Sequence, residues 1–142
     1  MTIAQALKEK NKKAAKLQKL WGRLQTNNSI IEGGKRVYEP TLVIKEIDDL
    51  TSQLIDLKTR IHIASMDVRA KIFRMSELKN YLMKLREVST RDGIVRDRYD
   101  STVITMEAVF KVVDIDVLVE KTEDEIEKTQ EELDIFNHQT SI

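Results

Sequence analysis

Between Val43 and Ala64 the apolar residues recur on a strict heptad, with Val43, Leu50, Leu57 and Ala64 on one position and Ile47, Leu54 and Ile61 on the other. Three heptads without a polar interruption restrict this segment to an α-helix that buries one stripe against other helices. A strand repeats every two residues and would turn about half of these side chains to the opposite face. Ile44 and Ile55 lie beside the stripe and widen it beyond what a two-stranded seam needs, which predicts contact with more than one helix. Glu39-Pro40 sets the start, since proline suits a first helical position, and the helix is expected over about 41–64.

The same period predicts three further helices. Thr2 and Gln5 have the spacing of a capping box, and the apolar residues behind them place Leu7, Ala14, Trp21 and Asn28 on one seam position and Ile3, Lys10, Leu17 and Leu24 on the other, giving a helix over about 3–28. Asn27-Asn28-Ser29 and Gly33-Gly34 end it with residues that accept turn geometry. Ser76 is a candidate cap for a helix over about 76–91 carrying Leu78, Leu82, Leu85 and Val88, stopped by Asp92-Gly93. The last helix, over about 116–137, is expected to be capped by Asp114 or Asp116. Its seam positions hold Val119, Ile126 and Leu133, and Ile115, Thr122, Thr129 and Phe136. Two stretches depart from the helical period. Val68, Ala70 and Ile72 alternate with Arg69, Lys71 and Phe73, and Tyr99 to Val113 is rich in β-branched and aromatic residues, so segments near 68–73 and 99–113 are expected to form a small β element. The alternative for the second stretch is that Met106 to Val113 opens the last helix.

The expected fold is therefore mainly α: a single helical domain over 1–142, an antiparallel, heptad-patterned bundle or coiled coil of about four helices with a small β element. A chain of 142 residues affords one core of this kind. Charged residues form 34% of it, with Gly four times and Pro once, which leaves little length for loops.

Lys plus Arg and Asp plus Glu number 24 each, so no global charge favours nucleic acid, an anionic membrane or an acidic substrate. Charge is nonetheless segregated. Residues 3–24 hold seven basic residues against Glu9, a net +6, whereas 114–136 hold ten acidic residues against Lys121 and Lys128, a net −8. Opposite charge on heptad flanks selects partners, which predicts that the first and last helices lie side by side, within a chain or between chains. The run from Lys8 to Lys19 offers the other use of such charge, a phosphate backbone, but few aromatics accompany it to stack on bases.

Signals of chemistry are sparse. With no cysteine there is neither a disulfide nor a thiolate metal site, which is compatible with a reducing cytosol. His62 and His138 lack the companion His or carboxylate spacing of a metal helix. Gly33-Gly34 is followed by Lys35-Arg36-Val37 and not by the Gly-Lys-Ser/Thr of a phosphate loop. Glu123-Asp124-Glu125 and Glu131-Glu132 read as solvated helix faces. No catalytic residue, cofactor or metal site follows, and the chain is expected not to be an enzyme. The charged residues near the start replace the apolar core of a signal peptide, and no apolar run approaches the roughly 18 residues of a spanning helix, so a cytoplasmic location is expected.

Ala4-Gln5-Ala6-Leu7, Glu39-Pro40 leading into Glu46-Ile47-Asp48-Asp49-Leu50, Leu57-Lys58-Thr59-Arg60-Ile61, Val113-Asp114-Ile115-Asp116, and the ending Glu132-Leu133-Asp134-Ile135-Phe136-Asn137 with Thr140 and Ile142 resemble the septicolysin-like family of small bacterial helical proteins. The resemblance covers nearly the whole length. It implies a bacterial origin and a largely uncharacterised activity under a cytolysin label. His62-Ile63-Ala64-Ser65 departs from the family pattern after Arg60-Ile61.

The function expected is that of a non-enzymatic interaction protein, a helical scaffold forming a homo-oligomer through its seams. The residues chosen for that role are Leu7, Leu17, Trp21 and Leu24 on the first helix, Ile47, Leu50, Leu54, Leu57 and Ile61 on the second, and Ile126, Leu133 and Phe136 on the last. The alternatives are a membrane-active protein using the 99–113 segment and a nucleic-acid binder using the first helix.

Overall fold

The computed structural model describes residues 1–96 and 102–142, which divide into two compact units: Met1–Val68 with Asp134–Ile142, and Arg69–Leu133. Four α-helices and one two-stranded antiparallel sheet are found among these residues: α1 (Ile3–Asn27), α2 (Pro40–Ala64), α3 (Arg69–Glu87), β1 (Gly93–Arg96), β2 (Val103–Met106) and α4 (Val112–Gln139). The protein is mainly helical, with the small sheet lying between α3 and α4 in sequence.

In the first unit α1 and α2 form an antiparallel pair. Lys13 near the middle of α1 donates to Gln53 Oε1 on α2 (2.8 Å), while Asn27 at the other end of α1 receives the backbone of Val37 and Tyr38 just before α2 begins. α1 starts on the expected capping box, with Thr2 N–H donating to Gln5 Oε1 (2.9 Å) and Gln5 N–H donating to Thr2 Oγ1 (3.2 Å). α2 starts with Pro40 in its first turn. The core between them consists of Leu20, Val43, Ile47 and Leu50, with Leu17, Leu24 and Ile44 packed against it.

That core corrects the register expected for α1. The inward stripe is Ile3, Ala6, Leu17, Leu20, Leu24 and Asn27, so the seam position assigned to Leu7, Ala14, Trp21 and Asn28 belongs one residue earlier. Leu20 is 1% exposed and Trp21 43%. Leu20 and Trp21 are both apolar, so the surface of α2 decides between them: Leu20 fits among Val43, Ile47 and Leu50, and the half-buried Lys13 can lay its aliphatic stem along the interface.

Asn27 closes this helix pair. Its side chain is buried, donates to Arg23 O (2.8 Å) and accepts from Val37 N–H (3.2 Å), while its own carbonyl accepts from Arg36 Nε (2.8 Å). Arg23 stacks over the Tyr38 ring at 4.4 Å. The loop between α1 and α2 is thus held by one amide whose donor and acceptor are both used. At the opposite end of the unit the last residues return to the first: Thr2 bridges to Ser141, Ile3 N–H donates to Thr140 O (2.9 Å), and Ile142 N–H donates to Met1 O (3.0 Å).

In the second unit α3 and α4 also run antiparallel, tied by ion pairs of Lys71 with Glu132 (3.0 Å), Arg74 with Glu125 (3.4 Å) and Arg86 with Glu123 (2.6 Å). The strand expected over 68–73 is not formed. Val68 ends a 3-10 turn, and Arg69 to Phe73 open α3, so Ser76 lies inside the helix and does not cap it. Val68, Ile72, Met75, Leu78, Leu82 and Leu85 are the side chains turned from solvent, a helical spacing that overrides six residues of two-fold alternation. α3 ends at Glu87, short of the expected 91.

β1 and β2 pair with Gly93 opposite Met106, Ile94 opposite Thr105, Val95 opposite Ile104 and Arg96 opposite Val103. The strand reading of the 99–113 stretch holds for Val103–Met106. Its partner is Gly93–Arg96, which follows the Asp92-Gly93 turn, and the part of the stretch from Tyr99 to 101 lies outside the described residues. α4 begins at Val112, four residues before the expected start. Lys111 O accepts from Ile115 N–H (3.1 Å), and Lys111 N–H donates to Asp114 Oδ2 (2.9 Å), so Asp114 serves from inside the first turn as the returning half of a capping box and is not the cap itself. Thr122 and Thr129 are buried as the stripe required, with hydroxyls donating to Leu118 O (2.7 Å) and Glu125 O (2.8 Å).

The corrected register makes a direct prediction. Leu20→Ala removes a side chain from the centre of the α1–α2 core and should lower unfolding free energy by about 2–5 kcal/mol. Trp21→Ala, one residue along, should cost clearly less; equal losses in chemical denaturation would mean that the register is wrong.

Candidate self-association surface

The twelve seam residues separate into three groups. Ile47, Leu50, Leu54, Leu57 and Leu133 are buried within the chain itself, and Leu7, Leu17, Leu24, Ile61, Ile126 and Phe136 are half-buried. Only Trp21 lies mainly at the surface, at the edge of a shallow groove that it forms with Leu24, Pro40, Thr41 and Ile44. Most of the expected seam is therefore spent on folding. Of the two residues beside the α2 stripe, Ile44 packs on the core and Ile55 is exposed.

Exposed apolar side chains occur along much of the chain, Ile31 and Val37 among the most exposed, and one group of them falls on the sheet and the start of α4. Ile94, Val103, Ile104 and Met106 of the strands, Val109 and Phe110 of the connection, and Val112, Val113 and Val117 of α4 are all exposed, Val109 at 86% and Ile94 at 74%. In the observed register Val95, Ile104 and Met106 share one face, and Ile94 and Val103 share the other with Arg96 and Thr105. Apolar side chains thus stand on both faces. Neither strand has a further partner among the described residues; a two-stranded sheet is marginal alone in water, and exposed apolar side chains on it make it a candidate docking surface.

Asp92 anchors this sheet. Its Oδ1 accepts from Ala108 N–H (2.9 Å) and from Lys111 Nζ (2.7 Å), tying the residue before β1 to the segment after β2. Those two hydrogen bonds hold the Asp92 carboxyl below the usual carboxylate range, the Ala108 N–H contributing most. Glu132 is lowered similarly by the hydrogen bond and the charge of Lys71. The sequence marked Asp92-Gly93 as a turn but carried no sign that Asp92 would reach across to Ala108 and Lys111. Gly93 has φ +84°, a conformation that favours glycine as the chain enters β1.

Ion pairs occupy part of the charge on both the +6 and the −8 helix. Among the described residues Glu123, Glu125 and Glu132 of α4 pair with α3, and Lys13 of α1 pairs with Glu9 of its own helix (3.4 Å). The reason is that α3 supplies Lys71, Arg74 and Arg86 along the side that meets α4. Glu123, Glu125 and Glu132 are thereby occupied as structural anions. No group of three or more His, Asp or Glu among the described residues is placed to hold a metal ion, and no helix among them is long and apolar enough to cross a membrane. His138 Nδ1 lies 2.7 Å from Asp134 O.

Acid should loosen the sheet anchor. A carboxyl whose folded pKa lies below its unfolded value of about 4 stabilises the fold above that value, and the stabilisation is lost as pH falls through the folded pKa. Melting temperature should therefore drop between pH 5 and pH 2.5, and Asp92→Asn, which keeps an acceptor but removes the charge, should reduce that drop. An identical pH dependence in the variant would exclude Asp92 as a contributor.

Neither family models nor curated proteins give a match to this chain. Among solved structures, the crystal structure of a functionally unknown conserved protein from Corynebacterium diphtheriae is similar over 100% of this chain and 99% of that one, with a TM-score of 0.82 and 17% sequence identity. At that identity the likeness establishes a shared fold.

Proposed function

We propose that this is a non-enzymatic interaction protein that self-associates, with the exposed apolar surface of the β1–β2 sheet and the start of α4 as its principal contact. The observation that carries the reading is the group of exposed apolar side chains Ile94, Val103, Ile104, Met106, Val109, Phe110, Val112, Val113 and Val117, on and beside a sheet whose strands have no further partner among the described residues. Burying such a surface is favourable by about 25 cal/mol per Å² of apolar area, and a second copy presents the same strands for edge pairing. This moves the contact away from the helix seams, most of which are used inside the chain. A cytoplasmic setting and membership in the septicolysin-like family belong to the same proposal, the latter resting on the Glu39-Pro40 entry and the 132–137 ending.

The same apolar hairpin supports a second reading, a membrane-active protein. Glu107 and Lys111 interrupt the apolar run, and Lys111 is engaged by Asp92, which favours the protein partner over lipid.

Light scattering across a concentration series should give a defined oligomer for the native chain and a smaller species for the double variant Ile104→Asp, Phe110→Ser, whose helical circular dichroism should be retained. A monomer at every concentration would refute self-association. Release of dye from lipid vesicles at micromolar protein, abolished in the double variant, would install the membrane reading in its place.

A further inference from the structure

α1 and α4 each carry an unused ladder of charge. On α1, Lys8, Lys12, Lys16, Lys19 and Arg23 succeed one another at intervals of four, four, three and four residues; on α4, Asp116, Glu120, Asp124, Glu127 and Glu131 follow the same intervals. At 100° per residue each set occupies an arc of about 80° on one helix face and spans about 22 Å. The α1 arc holds no acidic residue, and the α4 arc holds no basic one. Lys8, Lys12, Lys16 and Lys19 are exposed and make no ion pair among the described residues, and the same is true of all five α4 acids. Arg23, the last rung on α1, is stacked on Tyr38.

Solvated charge faces on helices are ordinarily mixed in sign, because alternating charges stabilise the helix that bears them. Along each ladder like charges repel at i,i+4, and the opposite charges that border them, Glu9, Glu46 and Asp49 beside Lys12 and Lys16, and Lys121 and Lys128 beside Glu120 and Asp124, form no ion pair with them among the described residues. The arrangement is relieved by a partner face of opposite sign and matching spacing. A nucleic acid would satisfy the lysine ladder but would be repelled by the acidic one, on a chain with no net positive charge. A second copy of this chain carries both complements.

We infer that the Lys8–Lys19 face of α1 docks against the Asp116–Glu131 face of α4 in a second copy of this chain. The inference rests on the self-association reading and adds to it an electrostatic contact separate from the apolar sheet. The apolar surface supplies attraction without direction, and the ladders fix which helix meets which and in what register.

The test uses the full chain in two charge-reversed forms, Lys12→Glu with Lys16→Glu, and Glu120→Lys with Asp124→Lys. All four positions are exposed, so both forms should fold, as checked by circular dichroism and melting. Each alone should associate at least about tenfold more weakly than the native chain in sedimentation equilibrium at low salt, and native association should weaken as salt rises. Mixed in equal amounts, the two forms should assemble together, since the acidic α1 of one then meets the basic α4 of the other. Native-like association of either form alone, or failure of the folded mixture to assemble, would overturn the inference. If the native chain is an oligomer that the Ile104→Asp, Phe110→Ser variant disrupts while both charge reversals leave it intact, the ladder contact falls and the sheet contact stands. A native chain that is monomeric throughout would sink both. Micromolar binding of a generic DNA duplex at physiological salt, lost with Lys12→Glu and Lys16→Glu while self-association is unchanged, would assign the lysine ladder to nucleic acid instead.

Discussion

The first unit depends on the interlock of Leu20 with Val43, Ile47 and Leu50. Short helices are marginal in water, and α1 lacks the uninterrupted apolar stripe of α2, so α1 holds its place by what it buries against α2. The interlock also fixes which face of α1 is left outside. Once Leu17, Leu20 and Leu24 turn inward, the lysines at 8, 12, 16 and 19 lie exposed on one flank of the seam, where Lys12 and Lys16 border a groove with Glu46 and Asp49 of α2, and Trp21 lies on the other flank. The basic surface of the protein is in this sense a by-product of its core.

Charge plays two distinct roles on α4. Glu123, Glu125 and Glu132 are matched by cations on α3 and help to hold the second unit, whereas Asp116, Glu120, Asp124, Glu127 and Glu131 form no ion pair among the described residues. Exposed pairs of the first kind contribute little stability each, but three of them along one helix pair define its alignment. The sheet is handled differently: one carboxylate, Asp92, receives a backbone amide and an ammonium from the far side of the hairpin.

Much of the fold was legible in the sequence, and the failures have physical causes. The capping box at Thr2, the proline start of α2 and the heptads of α2 and α4 are local signals, and each is found where the pattern placed it. The α1 register was missed because Leu20 and Trp21 are adjacent and both apolar, and only the partner surface decides between them. The 68–73 segment was misread because six residues can satisfy a two-fold and a helical period at once. β1 was missed because a four-residue strand beginning with glycine has almost no periodicity to detect; its pairing is set by β2 and by the Asp92 anchor. The candidate surface was legible only in part: β-branched residues between 103 and 113 were conspicuous, but exposure is a property of what the remaining chain fails to cover.

The return of the last residues to the first has a consequence for the order in which the molecule can be completed. The α1–α2 pair needs only residues from the first half of the sequence, with a short loop to close, and its core can form as soon as α2 has left the ribosome. The bridge from Thr2 to Ser141, with the hydrogen bonds from Ile3 to Thr140 and from Ile142 to Met1, joins opposite ends of the sequence. During synthesis the capped start of α1 must therefore wait, its backbone partners still unmade, until α3, the hairpin and α4 have all been produced.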